Sequence, residues 1–579
     1  MATRVIPPRI LKKLRYNTAT KPFQPSLTSP ALSPSNILDQ KPPSSTTTTI
    51  IPPAVADINF HDVEKLFSYV PTSKLLQSTA VLHATAVEPF VDLGTWIMRS
   101  ELMQTNNPLR DLALSATRAT FFDHFCAGED AVTAGKSIAG LNDAGLRGML
   151  VYGVEDAHDN DACDRNLKAF LHTIDVSRSL PPSSVISSSF HLSASKWCCA
   201  DVVAATAADV KFETNGTERN EVEQNGIEMK TKMKSIKAWN IGIGISLMKS
   251  IKAWNNGIGM ELDQTNKQLF LVSFNIVKIT AICPMSLLER MSDLLRWQKK
   301  DPSMVLPWKQ DSLPIFSELS PLYHTRKRPE PLTAQEEKDL ELANKRFLEL
   351  CEKSVQANIP LLVDAEFTSV QPAIDYFTYA AAIVHNKGEN PILFGTMQTY
   401  LKDAKDRLLL TSKAADKMGI PMGFKLVRGA YMSSERKLAA ELGYASPIHN
   451  TIKDTHKCFN DCSNFMLEKI ANGPGGVVLA THNIESGKLA AAKAHELGIG
   501  KVNHKMEFAQ LYGMSEALSF GLSNAGFQVS KYMPFGPVDT VMPYLLRRAE
   551  ENRGVLAASG FDRQLMRKEL VRRLKAAVF

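Results

Sequence analysis

Polar side chains stand at the ends of short apolar runs throughout the second half of this chain. Lys278 lies within Ile-Val-Lys-Ile-Thr, Asp364-Ala-Glu366 follows Leu-Leu-Val, and Gln398-Thr-Tyr400 follows Phe-Gly-Thr-Met. The same placement recurs in Lys425-Leu-Val-Arg428-Gly429-Ala430-Tyr431, Thr481-His482-Asn483, Gln510-Leu511 and Tyr532-Met-Pro-Phe-Gly536. One buried Lys or His at such a position is ordinarily a satisfied structural group, because burying an unpaired charge is costly. So many at successive run ends need partners, and a ligand rich in donors and acceptors supplies them. A second signal is Tyr544-Leu-Leu-Arg547-Arg548-Ala-Glu-Glu551-Asn552. Spacings of three and four put Tyr544, Arg547, Arg548 and Glu551 on one helical face. Two neighbouring guanidinium groups suit capture of a carboxylate or phosphate. Taken alone, that face reads more readily as a solvated charge run.

Residues at run ends need a frame that gathers them. From residue 148 onward, eight β-branched runs alternate with amphipathic helical stretches. They include Met149–Glu155, Phe274–Ile282, Leu361–Glu366, Val502–Phe508 and Phe527–Met533. Eight such units predict an α/β fold, a distorted (β/α)8 barrel, with a doubly wound open sheet as the rival. Barrel chemistry gathers where strands end, which is where the polar residues fall. Residues 56–147 show helical spacing without strand-like alternation and form an expected N-terminal helical arm. The barrel is expected over 148–579, interrupted at 186–272 by an atypical insertion. That segment repeats Met233-Lys-Ser-Ile-Lys-Ala-Trp-Asn240 as Met248 to Asn255. Two copies are too few for a solenoid. A disordered insertion and translated non-coding sequence are both open readings.

The chain has 579 residues and a formal net charge of +7. Six of its bases lie in residues 1–38, where there is no acid. Without those six, 61 bases stand against 60 acids, so the body offers no general electrostatic case for nucleic acid. Residues 1–55 are rich in Ser, Thr and Pro with early Arg and Lys, as in an organelle transit peptide, the mitochondrion ahead of the plastid. No apolar run reaches the roughly 18 residues of a membrane span. The eight cysteines are scattered without CxxC pairs, so no disulfide scaffold is indicated. His456, Cys458 and Cys462 lack a fourth partner, and no metal is expected. The dinucleotide-binding, P-loop, zinc-protease and serine-hydrolase signatures are absent.

Asp364-Ala-Glu366, Leu426-Val-Arg-Gly-Ala-Tyr431, Ala480-Thr-His-Asn483 and Tyr544 to Asn552, in that order and spacing, resemble the proline dehydrogenase (proline oxidase) family. The resemblance covers about residues 60–185 and 273–579. It is strongest from 360 and greatest toward the mitochondrial enzymes of plants. It implies a distorted barrel holding FAD noncovalently. The implied reaction takes L-proline to Δ1-pyrroline-5-carboxylate and passes electrons to a membrane quinone, with peripheral attachment to the matrix side of the inner mitochondrial membrane. By the same resemblance, Lys278, Arg547 and Arg548 grip the proline carboxylate and Glu551 steadies the arginines. Asp364, hydrogen-bonded to Tyr532, is the active-site aspartate, and Tyr532 and Tyr544 pack on the ring. Gln398, Lys425 and Arg428 are expected at the isoalloxazine ring and pyrophosphate, with Gly429 and Ala430 allowing close approach. Thr481, His482 and Asn483 are expected at the ribityl or adenylate part, with Gln510 and Leu511 beside the ring. Some bacterial members carry arginine at the position of Lys425 and lysine at that of Arg428, so this chain exchanges the pair. A catalytically silent homologue and another flavin barrel oxidoreductase are the alternatives. The complete set Lys278, Asp364, Arg547 and Arg548 argues against the first, and the Arg547–Arg548 helix discriminates against the second.

Overall fold

In a computed structural model, the described residues are 58–84, 87–100, 103, 107–154, 156–180, 272–500, 505–554 and 556–578. The expected transit peptide lies outside them, as does the expected insertion apart from Val272. Among the described residues, eight strands pair in parallel and close on themselves in sequence order. They are β1 (Arg147–Tyr152), β2 (Val272–Val277), β3 (Leu361–Val363), β4 (Leu393–Gln398), β5 (Gly423–Val427), β6 (Gly476–Ala480), β7 (Met506–Leu511) and β8 (Val529–Phe535). Closure comes from six residues of β1 in register with β8, from Arg147 beside Ser530 to Tyr152 beside Phe535.

Helices α1 (Thr72–Ala84), α2 (Glu88–Arg99), α3 (Pro108–Thr117) and α4 (Ala131–Asp143) precede β1. Around the barrel run α5 (Asn160–Ser179), α6 (Met285–Lys300), α7 (Ala334–Ala357), α8 (Gln371–His385), α9 (Ala404–Lys417) and α10 (Met432–Glu441). They continue as α11 (Ile452–Asn472), α12 (Ile484–Glu496), α13 (Glu516–Asn524), α14 (Met542–Gly554) and α15 (Leu556–Val578). Local chemistry sets several starts. Thr333 with Glu336, and Thr451 with Asp454, form reciprocal capping boxes on α7 and α11. Asn483 caps α12 by accepting from the Ser486 N–H. Asn358, at φ +51°, ends α7 in the left-handed region that asparagine tolerates.

The barrel is filled by alternate residues. Met149 and Val151, Phe274 and Ile276, Leu362, Phe394, Val478 and Ala509 form one buried cluster, with Ala480 and Tyr532 against it. Two-residue steps follow from the strand pleat. Continued to the strand ends, they lead from Ile276 to Lys278, from Leu362 to Asp364 and from Ala480 to His482.

Several expected boundaries move. β2 stops at Val277, and Ile279–Ala281 is a 3-10 turn rather than strand. β3 stops at Val363, before Asp364 and Glu366. The apolar run persists past the hydrogen-bonded ladder because Ile279, Ala281 and Ile282 are buried in loop backbone. β7 and β8 begin and end later than expected, since Leu511 pairs with Tyr532 and Phe535 with Tyr152.

Candidate functional site

Side chains from five strand ends meet over the apolar plug. Asp364, just beyond β3, is buried and forms an ion pair with Lys425 of β5. Its other oxygen accepts from the Tyr532 hydroxyl of β8 at 2.9 Å. The Lys425 ammonium stands 5.3 Å from the Tyr532 ring centre, so the three groups form a closed triangle. Lys278, just past β2, donates to the Tyr431 hydroxyl at 3.3 Å and lies 4.0 Å from Glu366. Glu366 is buried and accepts from the Thr280 hydroxyl at 2.9 Å. Gln398, ending β4, donates to the Glu366 carbonyl at 2.8 Å. These bonds fix β2, β3, β4, β5 and β8 relative to each other at this end of the barrel.

Arg428 forms a second centre just past β5. Its Nε donates to His456 Nδ1 at 3.0 Å, and its terminal nitrogens donate to Thr481 at 2.7 Å and Ser486 at 2.8 Å. Its plane lies over the Phe459 ring at 4.5 Å. All three acceptors are neutral, and among the described residues no carboxylate pairs with it. Burial therefore pushes its pKa down to about 10 without a compensating charge. A half-buried cation with neutral partners suits an added anion such as a pyrophosphate. In this respect the residues present fit an FAD.

His482 is held by the Leu511 N–H, which donates to its Nε2 at 3.0 Å. That bond places the proton of the neutral ring on Nδ1. Loss of water, then the nearby Lys531, Arg548 and Arg428 charges, push its pKa down to about 3, so it is neutral at physiological pH. Asn483 is engaged in capping α12. Gln510 is buried between barrel and helix, donating to the Thr481 carbonyl at 3.3 Å and accepting from Ser519 of α13. Its amide is therefore occupied on the outer side of β7, whereas Leu511 packs beside Tyr532.

Gly429, expected to admit a close approach, has φ +138°. A Cβ there would stand 2.5 Å from the Tyr400 ring, so glycine is required by its own neighbours. Ala430 is exposed. α14 supplies the cationic side. Arg548 is buried with its guanidinium 5.0 Å from the Tyr544 ring centre, one helical turn away, and Arg547 is half-buried beside it. Tyr544 and Leu545 pack with Val81 of α1 and with Phe122 and Phe125, and Leu511 and Tyr532 lie against the same cluster. Helices before the barrel thus help to set α14 over the strand ends. The Glu551 side chain lies outside the described residues.

Three residues were not assigned a role from sequence although their neighbours were. Glu366 lies one two-residue step past Asp364, Tyr431 ends the Arg-Gly-Ala-Tyr run, and His456 was weighed only as a metal ligand. The step of two was a usable signal for Glu366. Nothing in the spacing places His456 beside Arg428.

Comparison with known proteins bears on the family and the fold. Residues 260–564 match the family described as Proline dehydrogenase. The chain is 48% identical over 528 residues to "Proline dehydrogenase 2, mitochondrial" of Arabidopsis thaliana, covering 91% of this chain and 92% of that one. It is 49% identical over 524 residues to "Proline dehydrogenase 1, mitochondrial" of the same plant, covering 90% and 87%. The crystal structure of proline utilization A from Bdellovibrio bacteriovorus superposes with a TM-score of 0.53 at 14% identity, covering 85% of this chain and 41% of that one. That likeness concerns the fold. From the sequence identity over nearly the whole of both plant proteins, the chain belongs to the proline dehydrogenase family.

Proposed function

We propose that this chain oxidises L-proline to Δ1-pyrroline-5-carboxylate with bound FAD and delivers the electrons to a membrane quinone, the first step of proline catabolism toward glutamate. The observation that carries the reading is the pairing of two groups of side chains: the buried Asp364–Lys425–Tyr532 triangle over the barrel plug, and the Arg428 centre with its neutral partners. FAD, when bound, supplies the two-electron acceptor for the hydrogen leaving the ring carbon next to nitrogen.

The remaining work falls to the protein's own groups. Arg547, Arg548 and Lys278 bind the proline carboxylate, and Glu551 steadies the arginines. Anchoring that end of a five-membered ring orients the reacting carbon, which is the entropic part of catalysis. Tyr532 and Tyr544 flank the ring and exclude water. Asp364 holds Tyr532 and Lys425, keeping one aromatic face and one cation at fixed positions. Lys425, Gln398 and Leu511 would lie at the isoalloxazine end of the cofactor, with Gly429 and Ala430 alongside, while Gln510 supports the Thr481 carbonyl from the outer side of β7. Arg428, Thr481, His482 and Asn483 would lie toward its phosphates and ribityl or adenylate part. The proline nitrogen must be a free amine, and no side chain here is needed as a strong base. kcat/KM therefore rises with pH as the proline amine loses its proton.

The names of the plant relatives support a mitochondrial location, and the basic, acid-free N-terminus agrees. Attachment to the matrix side of the inner membrane would be peripheral. Among the described residues no helix is long and apolar enough to cross a membrane.

The test is a visible spectrum of the purified full-length protein, followed by L-proline under anaerobic conditions. A flavin spectrum that bleaches with proline supports the assignment. Bound flavin reduced by a nicotinamide cofactor but not by proline would replace it with another flavin oxidoreductase.

A further inference from the structure

The acceptors that hold Arg428 come from two sides. Thr481 and Ser486 stand at the end of β6 and the start of α12, and both offer hydroxyls. His456 alone comes from α11, and it alone takes the Nε hydrogen, at 3.0 Å. Accepting at Nδ1 requires a neutral ring with its proton on Nε2. The ring is kept neutral by lost hydration and by the Arg428 charge itself, both of which lower its pKa. The other groups around the guanidinium are the two hydroxyls and the Phe459 ring, so no carboxylate among the described residues competes for the fork.

Resting on the FAD reading above, we infer that His456 is a positioning residue for cofactor capture. By taking the Nε hydrogen it locks the guanidinium in one orientation, with the terminal nitrogens toward Thr481 and Ser486. Without that acceptor the fork can turn about its last side-chain bond, and Arg428 becomes a loosely placed charge rather than an aimed donor for a diphosphate. The role differs from metal ligation, which needs the same Nδ1 lone pair that Arg428 occupies.

The experiment uses full-length apoprotein of the wild type, His456→Phe, His456→Gln, Arg428→Met and the His456→Phe/Arg428→Met pair. FAD affinity is read from quenching of flavin fluorescence, and proline KM is read separately at saturating FAD. Loss of one hydrogen bond to a charged group predicts FAD binding about tenfold weaker or more in His456→Phe. His456→Gln, which retains an acceptor, stays within about threefold of wild type by the same reasoning. Proline KM is unchanged in both. The double variant binds FAD no more weakly than Arg428→Met alone, because His456 acts through Arg428. Wild-type affinity in His456→Phe overturns the inference, as does an equal loss in both His456 variants, which would mean packing. A wild-type protein that takes up no FAD overturns the cofactor reading and this inference with it.

Discussion

Asp364 serves two partners of different kinds, an ammonium on one oxygen and a phenol on the other. Both members of the Lys425–Asp364 pair are buried, so removing one leaves an uncompensated charge in a dry place. Asp364→Ala is expected to lose about 3 kcal/mol of stability in urea titration, and Asp364→Ala/Lys425→Met to regain part of it. A double variant as unstable as the single one would show that the ion pair is not the source of the loss. Under the proposed function, Arg548 should bear on substrate rather than stability. Its replacement by Met keeps the stem against Tyr544 and removes the charge. If it grips the carboxylate, proline KM rises about 10- to 100-fold, the worth of one charge-assisted contact, while bound FAD is unchanged. An unaltered KM would assign the carboxylate to Arg547 and Lys278 alone. At this scale much was legible in the sequence. Lys278 and Asp364 lie just past strand ends as their positions implied, because a polar residue closing an apolar run marks where the ladder stops, whereas Lys425 and Tyr532 lie within the ladders of β5 and β8. Gln510 was misleading. It is as polar as the others, but its place in the pleat turns it outward to Ser519, and the type of a residue says nothing of that parity.

Elements hold these residues through contacts that composition hides. The turn after β5 depends on Gly429, whose φ of +138° and contact with Tyr400 exclude a side chain. Gly429→Ala is expected to cost more than about 1 kcal/mol and to disturb both Lys278–Tyr431 and the Arg428 fork. The measurable consequence is a lower thermal midpoint together with weaker FAD retention, and a variant with wild-type values for both would show that the turn relaxes freely. Two helices escaped the sequence reading for physical reasons. α10 is short and mostly polar, with little apolar stripe to detect. α15 buries Asp562, Leu565, Met566 and Glu569 at steps of three and four, a proper helical face of which half is acidic. Hydrophobic periodicity cannot see a face whose inner residues are carboxylates with assigned work. Asp562 accepts the Glu516 and Ala517 N–H groups at 3.1 Å each and so caps α13 from outside, and Glu569 holds Arg572 and Arg573. The eightfold alternation, by contrast, was readable because parallel strands buried on both faces give near-continuous apolar runs.

For the molecule as a whole, acid is a threat through the half-buried His324. His324 bonds to Thr368 at 2.8 Å, and lost hydration with the nearby Arg296 pushes its pKa down to about 3. The unfolded chain protonates this ring near its ordinary value of about 6.5. His324 therefore contributes stability that is full above about pH 6.5 and is lost progressively as pH falls toward 3. His324→Gln should narrow its stability gap from wild type between pH 7.5 and 5, with a limiting slope of about 1.4 kcal/mol per pH unit. A gap constant over that range would mean that the ring also stays neutral in the unfolded chain, or is charged in both states. The ends of the described chain are also tied together. Arg573 of α15 donates to the Val70 and Phe67 carbonyls at 2.7 and 2.8 Å, just ahead of α1.

Ring closure has a consequence for how such a chain is made. The Arg147 side chain of β1 meets Gln528, 381 positions later, and its strand has no eighth neighbour until β8 exists. A ribosome emits residues in order, so β1 waits for β8 with a bare hydrogen-bonding edge, and α15, which caps α13, follows later still. Nascent protein in that interval is an open sheet prone to sticking to other chains. Its yield in a cell should therefore depend on chaperones that hold incomplete chains. A stop codon within α15 should cost nearly as much folded enzyme as one far upstream.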